Sequence, residues 1–229
     1  EYGEFVRRLG VVGEKRNIRI ILLALTSRLT DTPISLVIKA ESASGKSWLL
    51  KNCLKVMPEE SYFEYTAMSN RALIYSDKDF AHKFIIFLEY SGQEDDEVNY
   101  LTRTLQSEGR LKYEYTAKVG GDFVTHSIDK PGPTGFITTT TQSQIFDENE
   151  TRIFSLYINE SQEQTSHIIE KLGRQYESGT YEVAESEIEA WRNIQRVLKP
   201  MPVQIPYAGW LAKQIPTKKV RVRRDFERV

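Results

Sequence analysis

One short segment, AESASGKS at residues 40 to 47, constrains the fold more than any other feature of the sequence. It follows a β-branched apolar run at residues 34 to 39 and precedes a helical pattern at residues 46 to 55. The segment fits the phosphate-binding pattern G-x-x-x-x-G-K-[ST], except that Ala40 stands in place of the first glycine. The order of strand, loop and helix therefore predicts an α/β fold that binds a nucleotide. The alternative is a chance Gly-Lys-Ser at the N-terminus of a helix, where small residues are common.

Each residue type in this segment suits one part of a phosphate group. Backbone N–H groups at Ala43, Ser44 and Gly45 would surround the phosphates at the start of the helix. Lys46 would neutralise the charge of the β- and γ-phosphates, and Ser47 would place its hydroxyl on Mg²⁺. The sequence therefore predicts a nucleotide and a magnesium ion as cofactors.

A second apolar strand, FIIFL at residues 84 to 88, ends at an acidic residue, Glu89. A nucleotide-hydrolysing enzyme keeps a carboxylate at such a position to position Mg²⁺ or to activate water. The usual Asp-Glu pair is Leu88-Glu89 here, so Glu89 would act alone as the base. The alternative is an ordinary surface carboxylate at a strand end. Ala40 and Leu88 also leave open a domain that binds nucleotide and hydrolyses it slowly or not at all.

Alternating segments on either side of Gly120-Gly121 predict a β-hairpin over residues 110 to 127. It lies between the strand at residues 84 to 88 and a third strand at residues 135 to 140, and is therefore an insertion. Strands that alternate with helices elsewhere favour a mainly parallel sheet. Lys118, next to the turn, could contact a phosphate, although an ordinary solvated hairpin also carries lysines.

The charge balance and the apolar runs of the chain argue against a transmembrane protein but do not indicate one particular function. The 31 Lys and Arg residues balance 32 Asp and Glu residues, and no apolar run approaches the roughly 18 residues that a transmembrane helix needs. No membrane partner is expected. The single cysteine, Cys53, fits a reducing compartment, so the cytoplasm is the default location. Because the chain opens with Glu1 and ends in a patterned basic stretch, we expect a domain cut from a longer protein.

The predicted organisation has three parts. Residues 1 to 30 form a helical lead-in, residues 31 to 160 form the nucleotide-binding core with its hairpin, and residues 161 to 229 form a helical lid and a basic C-terminal segment. That basic segment could follow a nucleic-acid backbone or simply be a solvated helix face. The three tryptophans, Trp48, Trp191 and Trp210, are expected in the core or at an interface.

Several longer segments resemble the AAA+ helicase-type ATPases of phages and integrative mobile elements. These segments are EYTAMSNRALIY, IIFLEYSG, YLTRTLQSEGRLKYEYT, GPTGFITTTTQSQIFDENETRIFSLYINESQEQT and the terminal VQIPYAGWLAKQIP and VRVRRDF. Such ATPases are distant relatives of the minichromosome maintenance replicative helicases and often lie beside primase modules. The resemblance covers the chain from about Leu36 onward. It implies an AAA+ core with a C-terminal helical lid, ATP hydrolysis, a hexameric ring of identical chains, and single- or double-stranded DNA as partner.

The resemblance also implies roles for individual residues. Thr140, among the threonines that end the third strand, would be the polar sensor between the nucleotide and the attacking water. Arg152 would reach into the site of a neighbouring copy, although an ion pair with a nearby glutamate is the alternative. Arg223 or Arg224 would be the lid arginine that contacts the γ-phosphate. Lys118 would project from the hairpin into the central channel of the ring.

Two functions of different classes therefore remain. The first is an ATP-driven DNA helicase or translocase module of a mobile-element or phage replication protein. The second is a nucleotide-binding assembly or loader module with weak or no hydrolysis, which Ala40 and Leu88 favour. A small-molecule kinase with a similar loop is disfavoured, since it has no need of the hairpin or of the NETR segment around Arg152.

Overall fold

The structure is a computed structural model that describes residues 2–66, 72–88, 104–105, 108–141, 153–179, 183–218, 222–223 and 226. Within these residues there are two short 3-10 helices, Ser27–Leu29 and Glu59–Ser61. The α-helices are α1 (Tyr2–Arg8), α2 (Lys15–Thr26), α3 (Lys46–Leu54), α4 (Ala72–Tyr75), α5 (Gln162–Ser178), α6 (Glu185–Val197) and α7 (Ala208–Gln214). The strands are β1 (Leu36–Lys39), β2 (Tyr62–Tyr65), β3 (Lys83–Phe87), β4 (Arg110–Val119), β5 (Asp122–Pro131), β6 (Thr134–Thr140) and β7 (Phe154–Tyr157).

Five of the strands form one sheet in the order β2-β3-β6-β1-β7, and every neighbouring pair is parallel. Two interior strands, β6 and β1, are buried along their whole length, which explains their runs of apolar and β-branched residues rather than an alternating pattern. The predicted α/β fold with a parallel sheet is confirmed. Strand β6 lies between β1 and β3, so the carboxyl ends of these three strands lie side by side.

Both faces of the sheet are covered. One cluster contains apolar residues of α1, α2, α3 and α6 together with Phe84, Ile86 and Ile137 from the sheet. The other contains Ile85 and Phe136, whose side chains belong to the opposite face, with residues of α4 and the base of the β4–β5 hairpin. Because successive strand residues point to opposite faces, the continuous apolar sequence of β3 supplies both clusters.

The hairpin forms a separate two-stranded antiparallel sheet and is longer than predicted. It spans residues 110 to 131 rather than 110 to 127, because Ile128 and Lys130 continue the alternation and pair with the start of β4. The turn residues Gly120 and Gly121 have φ angles of 63° and 109°, a left-handed backbone that glycine adopts without strain. Near the base, Leu111 is buried, whereas every residue from Lys118 to Thr125 is exposed.

The chain divides into two compact units, Glu1–Leu198 and Lys199–Val229. The first unit contains the sheet, the hairpin and helices α1 to α6. The second contains α7, on which Trp210 is exposed. Helices α5 and α6, which the sequence analysis grouped with the C-terminal segment as a lid, lie in the first unit. Within the described part of the chain, no helix combines the length and the apolar character that crossing a membrane requires.

Candidate functional site

The loop between β1 and α3 has two residues in the left-handed backbone region. Gly45, directly before α3, has a φ angle of 92°, and Ala43 has a φ angle of 63°. The four residues of β1 are buried, so the loop starts from a fixed position in the centre of the sheet. Ala40, which replaces the usual first glycine, is not among the residues with positive φ. Its backbone conformation therefore gives no reason why a glycine is needed there.

Lys46 lies inside the curve of this loop. Its side chain is only 8% exposed, and its Nζ donates to the backbone oxygen of Ala40 at 2.9 Å and to that of Glu41. The Ser44 hydroxyl donates to the Glu41 oxygen at 2.7 Å and lies 3.4 Å from Lys46 Nζ. The ammonium group is thus held by uncharged oxygens, which phosphate oxygens could replace with a gain in charge complementarity.

The ends of three elements meet beside this lysine. The Ser47 hydroxyl, on the first turn of α3, lies 3.5 Å from the backbone oxygen of Leu88. The Thr139 hydroxyl, near the end of β6, donates to the same oxygen. Leu88 follows the last residue of β3, and its side chain packs against the main core. The order of strands in the sheet therefore brings the residue before Glu89 next to the phosphate-binding loop.

Among the described residues at this point, the Ser47 hydroxyl is the side-chain oxygen that the motif assigns to a magnesium ion. The neighbouring Leu88 contributes only its backbone oxygen in a place where a carboxylate would serve Mg²⁺ better. In the described part of the chain, no group of three or more His, Cys, Asp and Glu residues could hold a metal ion without a nucleotide. The residues fit an ion that arrives with phosphate oxygens and keeps several waters.

The structure distinguishes the threonines at the end of β6. Thr139 places its hydroxyl at the meeting point of Ser47 and Leu88. Thr140, the predicted sensor, is buried, pairs in register with Lys39, and accepts the Ala40 backbone N–H at 3.3 Å through its own backbone oxygen. Strand alternation, which sends neighbouring side chains to opposite faces, is the signal that would have separated Thr139 from Thr140.

Glu160 contacts the phosphate-binding loop, although the motif does not indicate it. It follows β7, and its carboxylate accepts the backbone N–H of Glu41 at 2.7 Å. This contact joins the phosphate-binding loop to the connection between β7 and α5. Nothing local in the sequence places Glu160 there, since 119 residues separate the two partners.

A cavity of about 550 Å³ opens directly beside the loop. Trp48, at the start of α3, borders it and its indole Nε1 donates to the Gly10 oxygen at 3.4 Å. Gln164, on α5, donates from its Nε2 to the Val12 oxygen at 2.7 Å. The walls are mainly apolar and come from the loop, the α1–α2 connection, α3, the end of β7 and α5; they include Ala43, Gly45, Leu49, Ile158, Ile168 and Leu172.

Two further predicted site residues are described, each within its own unit. Lys118 is exposed beside the hairpin turn, and Arg223 is exposed in the second unit. Glu89, Arg152 and Arg224 lie outside the described residues, so their roles stay predictions.

No curated protein matches the chain. Residues 10 to 200 match the model of a family described as the MTBMA_p00010 P-loop domain. The match includes the loop around Lys46, the parallel sheet and helices α2 to α6, and it covers more than half of the chain. A P-loop domain implies nucleotide binding, typically with Mg²⁺, which agrees with the cofactor prediction at this coarser level. The chain belongs to the MTBMA_p00010 P-loop domain family.

Proposed function

We propose that the chain is an ATP-hydrolysing motor module that acts on DNA as a ring of identical copies. One observation carries the nucleotide site of this motor: Lys46, Ser47 and the end of β3 meet beside a strand, β6, that ends in polar residues. This arrangement provides a cation for the phosphates and a hydroxyl for Mg²⁺, and Glu89, the residue after Leu88 in the sequence, would supply the catalytic carboxylate. The AAA+ helicase-type resemblance, and a primase module nearby in the whole protein, belong to this proposal.

The cavity beside the loop is the proposed site of the adenosine part of the nucleotide. Its volume of about 550 Å³ lies within the range of small-molecule pockets, and its mainly apolar walls suit a base and ribose. The loop residues Ala43 and Gly45 border it, so a nucleotide whose phosphates lie against the loop would extend into it. The exposed ring of Trp48 provides an aromatic surface at the same edge.

The proposed reaction is an in-line attack of water on the γ-phosphorus. A new P–O bond forms to the water oxygen, the bond to the β-phosphate oxygen breaks, and ADP leaves with the released electron pair. Glu89 orients the water and accepts its proton, while Lys46 and Arg152 of a neighbouring copy neutralise the charge that develops on the phosphate oxygens. Magnesium, held by the Ser47 hydroxyl, would supply further charge neutralisation.

The test measures ATP hydrolysis with and without single-stranded DNA. The motor predicts turnover that DNA stimulates and that Lys46→Ala, Glu89→Gln and Arg152→Ala each abolish. Lys51→Ala is the matched control, because Lys51 is an exposed lysine on the same helix as Lys46. Wild-type protein that binds ATP but shows no turnover at any protein concentration would contradict the motor.

A specific observation favours the second candidate, an assembly or loader module with weak hydrolysis. Leu88 packs its side chain into the core and presents only a backbone oxygen to Ser47. The site therefore lacks a carboxylate at this position, which would weaken the hold on Mg²⁺. This candidate predicts that ATP changes the sedimentation of the protein without being consumed, and that Lys46→Ala abolishes the change while Glu89→Gln does not.

A further inference from the structure

The tip of the hairpin exposes an aromatic ring that contributes little to folding. Phe123 is 78% exposed and lies opposite Lys118 in the register of β4 and β5. A phenylalanine stabilises a fold mainly through the apolar area that it removes from water, and this ring removes little. Phe123 lies near the Gly120-Gly121 turn, whose backbone conformation requires no side chain.

Phe123 also lies on the face of the hairpin that is exposed along its whole length. Register and alternation place Tyr113 and Tyr115 on one face, and Tyr115 packs edge-to-face against Tyr75 of α4 with ring centroids 5.2 Å apart. Lys118 and Phe123 share the other face, where every residue is exposed from the base of the hairpin to the turn. Packing inside the described part of the chain therefore does not explain the aromatic ring.

The pair at the tip has the chemistry of a single-strand binder. Proteins that hold single-stranded nucleic acid combine cations for the phosphates with aromatic rings on which the bases stack. Asp122, the carboxylate nearest to the turn, falls by register on the opposite face, with Val119. The face of Phe123 therefore presents a cation and a ring at the tip without a carboxylate beside them.

We propose that Phe123 stacks on an unpaired base of single-stranded nucleic acid while Lys118 contacts an adjacent phosphate. A duplex offers no such contact, because its bases are already stacked on each other. The proposal rests on the DNA-acting function proposed above and adds the contact that distinguishes a single strand from a duplex. Every base has an aromatic face, so the contact would tolerate any sequence.

The test measures the affinity of the whole chain for a fluorescent single-stranded oligonucleotide and for the same strand with abasic sites. Phe123→Leu keeps an apolar side chain but removes the ring, so we expect a loss of about fivefold to a hundredfold on the normal strand. On the abasic strand, wild type and Phe123→Leu should bind equally. Phe123→Tyr should restore the affinity for the normal strand, since it restores a ring that can stack.

Salt dependence separates the two residues. Lys118→Ala should lower the slope of log affinity against log salt by about one for each lost phosphate contact, whereas Phe123→Leu should leave the slope unchanged. Val124→Ala is the matched control, because Val124 is an exposed apolar residue on the opposite face of the same tip. It should leave affinity and slope as they are in the wild type.

Four outcomes would overturn the proposal. An equal loss of affinity of Phe123→Leu for the normal and the abasic strand would mean that Phe123 makes an apolar contact rather than stacking on a base. An unchanged affinity of Phe123→Leu for the normal strand would mean that Phe123 does not contact the nucleic acid. A changed oligomeric mass of Phe123→Leu in sedimentation would mean that the ring lies in a contact between copies of the chain. Wild-type protein that binds no single strand would also overturn the DNA-acting function, whereas the first three results leave that function intact.

Discussion

Two residues of the phosphate-binding loop have positive φ angles but different side chains. Gly45 and Ala43 both have positive φ, and a Cβ atom at Gly45 would meet no atom within 4 Å. We therefore expect Gly45→Ala to lower the free energy of unfolding by about 1–2 kcal/mol through backbone strain alone. Ala43→Gly relieves such strain in the folded protein but raises the conformational entropy of the unfolded chain. Because these two effects oppose each other, the free energy of unfolding should change by less than about 1 kcal/mol. Urea denaturation of both variants checks this; equal losses would contradict it.

Cys53 makes stability fall at high pH. Burial raises the pKa of its thiol to about 12 from an ordinary value of 9.0, and the thiol stays protonated in the folded protein. Above pH 9 the unfolded chain releases this proton and the folded chain does not, so the free energy of unfolding decreases as pH rises. The fall for one such group approaches about 1.4 kcal/mol per pH unit.

The measurement is the difference in unfolding free energy between wild type and Cys53→Ala from pH 8 to pH 11. The difference should shrink as pH rises, because only the wild type contains the thiol. Burial, the largest cause that raises the pKa of the neighbouring Tyr2 phenol, is common to both proteins. The smaller contribution of Cys53 to that pKa exists only in the wild type, and it makes the difference shrink further as pH rises. A constant difference would show that the thiol ionises equally well in the folded chain.

Among the elements, β6 illustrates how tightly the sheet packs. A Cβ atom on Gly135 would lie 2.3 Å from the ring of Phe84 on β3, and that ring is fully buried. We expect Gly135→Ala to lower the free energy of unfolding by about 1–3 kcal/mol, the usual cost of overpacking. Gly173→Ala is the matched control, since Gly173 lies within α5 with no atom near its missing Cβ.

The control should stabilise the protein by up to about 1 kcal/mol, because alanine is a better helix former than glycine. The same substitution thus has opposite signs in two elements, and thermal or urea denaturation measures both. Destabilisation of equal size at Gly173 would mean that α5 is not helical at that point.

The sequence predicts the individual helices and strands better than it predicts their arrangement in the sheet. The β-branched runs of β1 and β6, the glycine turn of the hairpin and the helix after Lys46 are local signals, and these elements are confirmed within a few residues. The order of the strands is not local: nothing near residue 134 indicates that β6 pairs with both β1 and β3. The predicted hairpin end was wrong: the alternation continues through Ile128 and Lys130, and the last two pairs join residues that are 19 and 21 positions apart.

The candidate site also has one part that the sequence predicts and one part that it does not. The roles expected of Lys46 and Ser47 come from one continuous motif, and the structure places both side chains in the loop region. The cavity beside it comes from segments around Gly10, Trp48, Ile158 and Gln164, which no single stretch of sequence brings together. Such a site depends on tertiary packing, so it could be found only after the fold was known.

At the scale of the first unit, one buried arginine links its beginning to its end. Arg28 donates to the side-chain and the backbone oxygens of Gln195, both at 2.9 Å, across 167 residues. Burial lowers the pKa of the guanidinium, which therefore depends on these partners for its solvation. We expect Gln195→Ala to lower the free energy of unfolding by about 1–3 kcal/mol, because it leaves a buried donor unsatisfied.

A double-mutant cycle with Arg28→Met separates this contact from the loss of packing. In the background without the guanidinium, Gln195→Ala should cost less, and the difference is the coupling energy, about 0.5–3 kcal/mol for residues in contact. Denaturation of the four proteins supplies the values. Additive effects would mean that the two side chains stabilise the unit independently.

The whole molecule, in the proposed function, would not contain a complete active site by itself. Lys46 would serve the copy that carries it, whereas Arg152 would serve the site of a neighbour. Either Lys46→Ala or Arg152→Ala alone should therefore remove ATP hydrolysis, with a loss of about a thousandfold or more for the arginine. A mixture of the two inactive variants should regain activity, because an Arg152→Ala copy keeps its own Lys46 and can receive Arg152 from a Lys46→Ala neighbour.

The size of the recovery follows from symmetry. In a head-to-tail ring assembled at random from equal amounts of both variants, about a quarter of the interfaces combine an intact Lys46 with an intact Arg152. Activity should thus reach at most about a quarter of the wild-type value and fall as either variant becomes dominant. Exchange of copies, followed by mixing differently labelled proteins, is the control. If copies exchange fully and ATP hydrolysis does not recover, Arg152 acts within its own copy or has no part in the reaction. Each chain would then have to supply its own cation for the γ-phosphate.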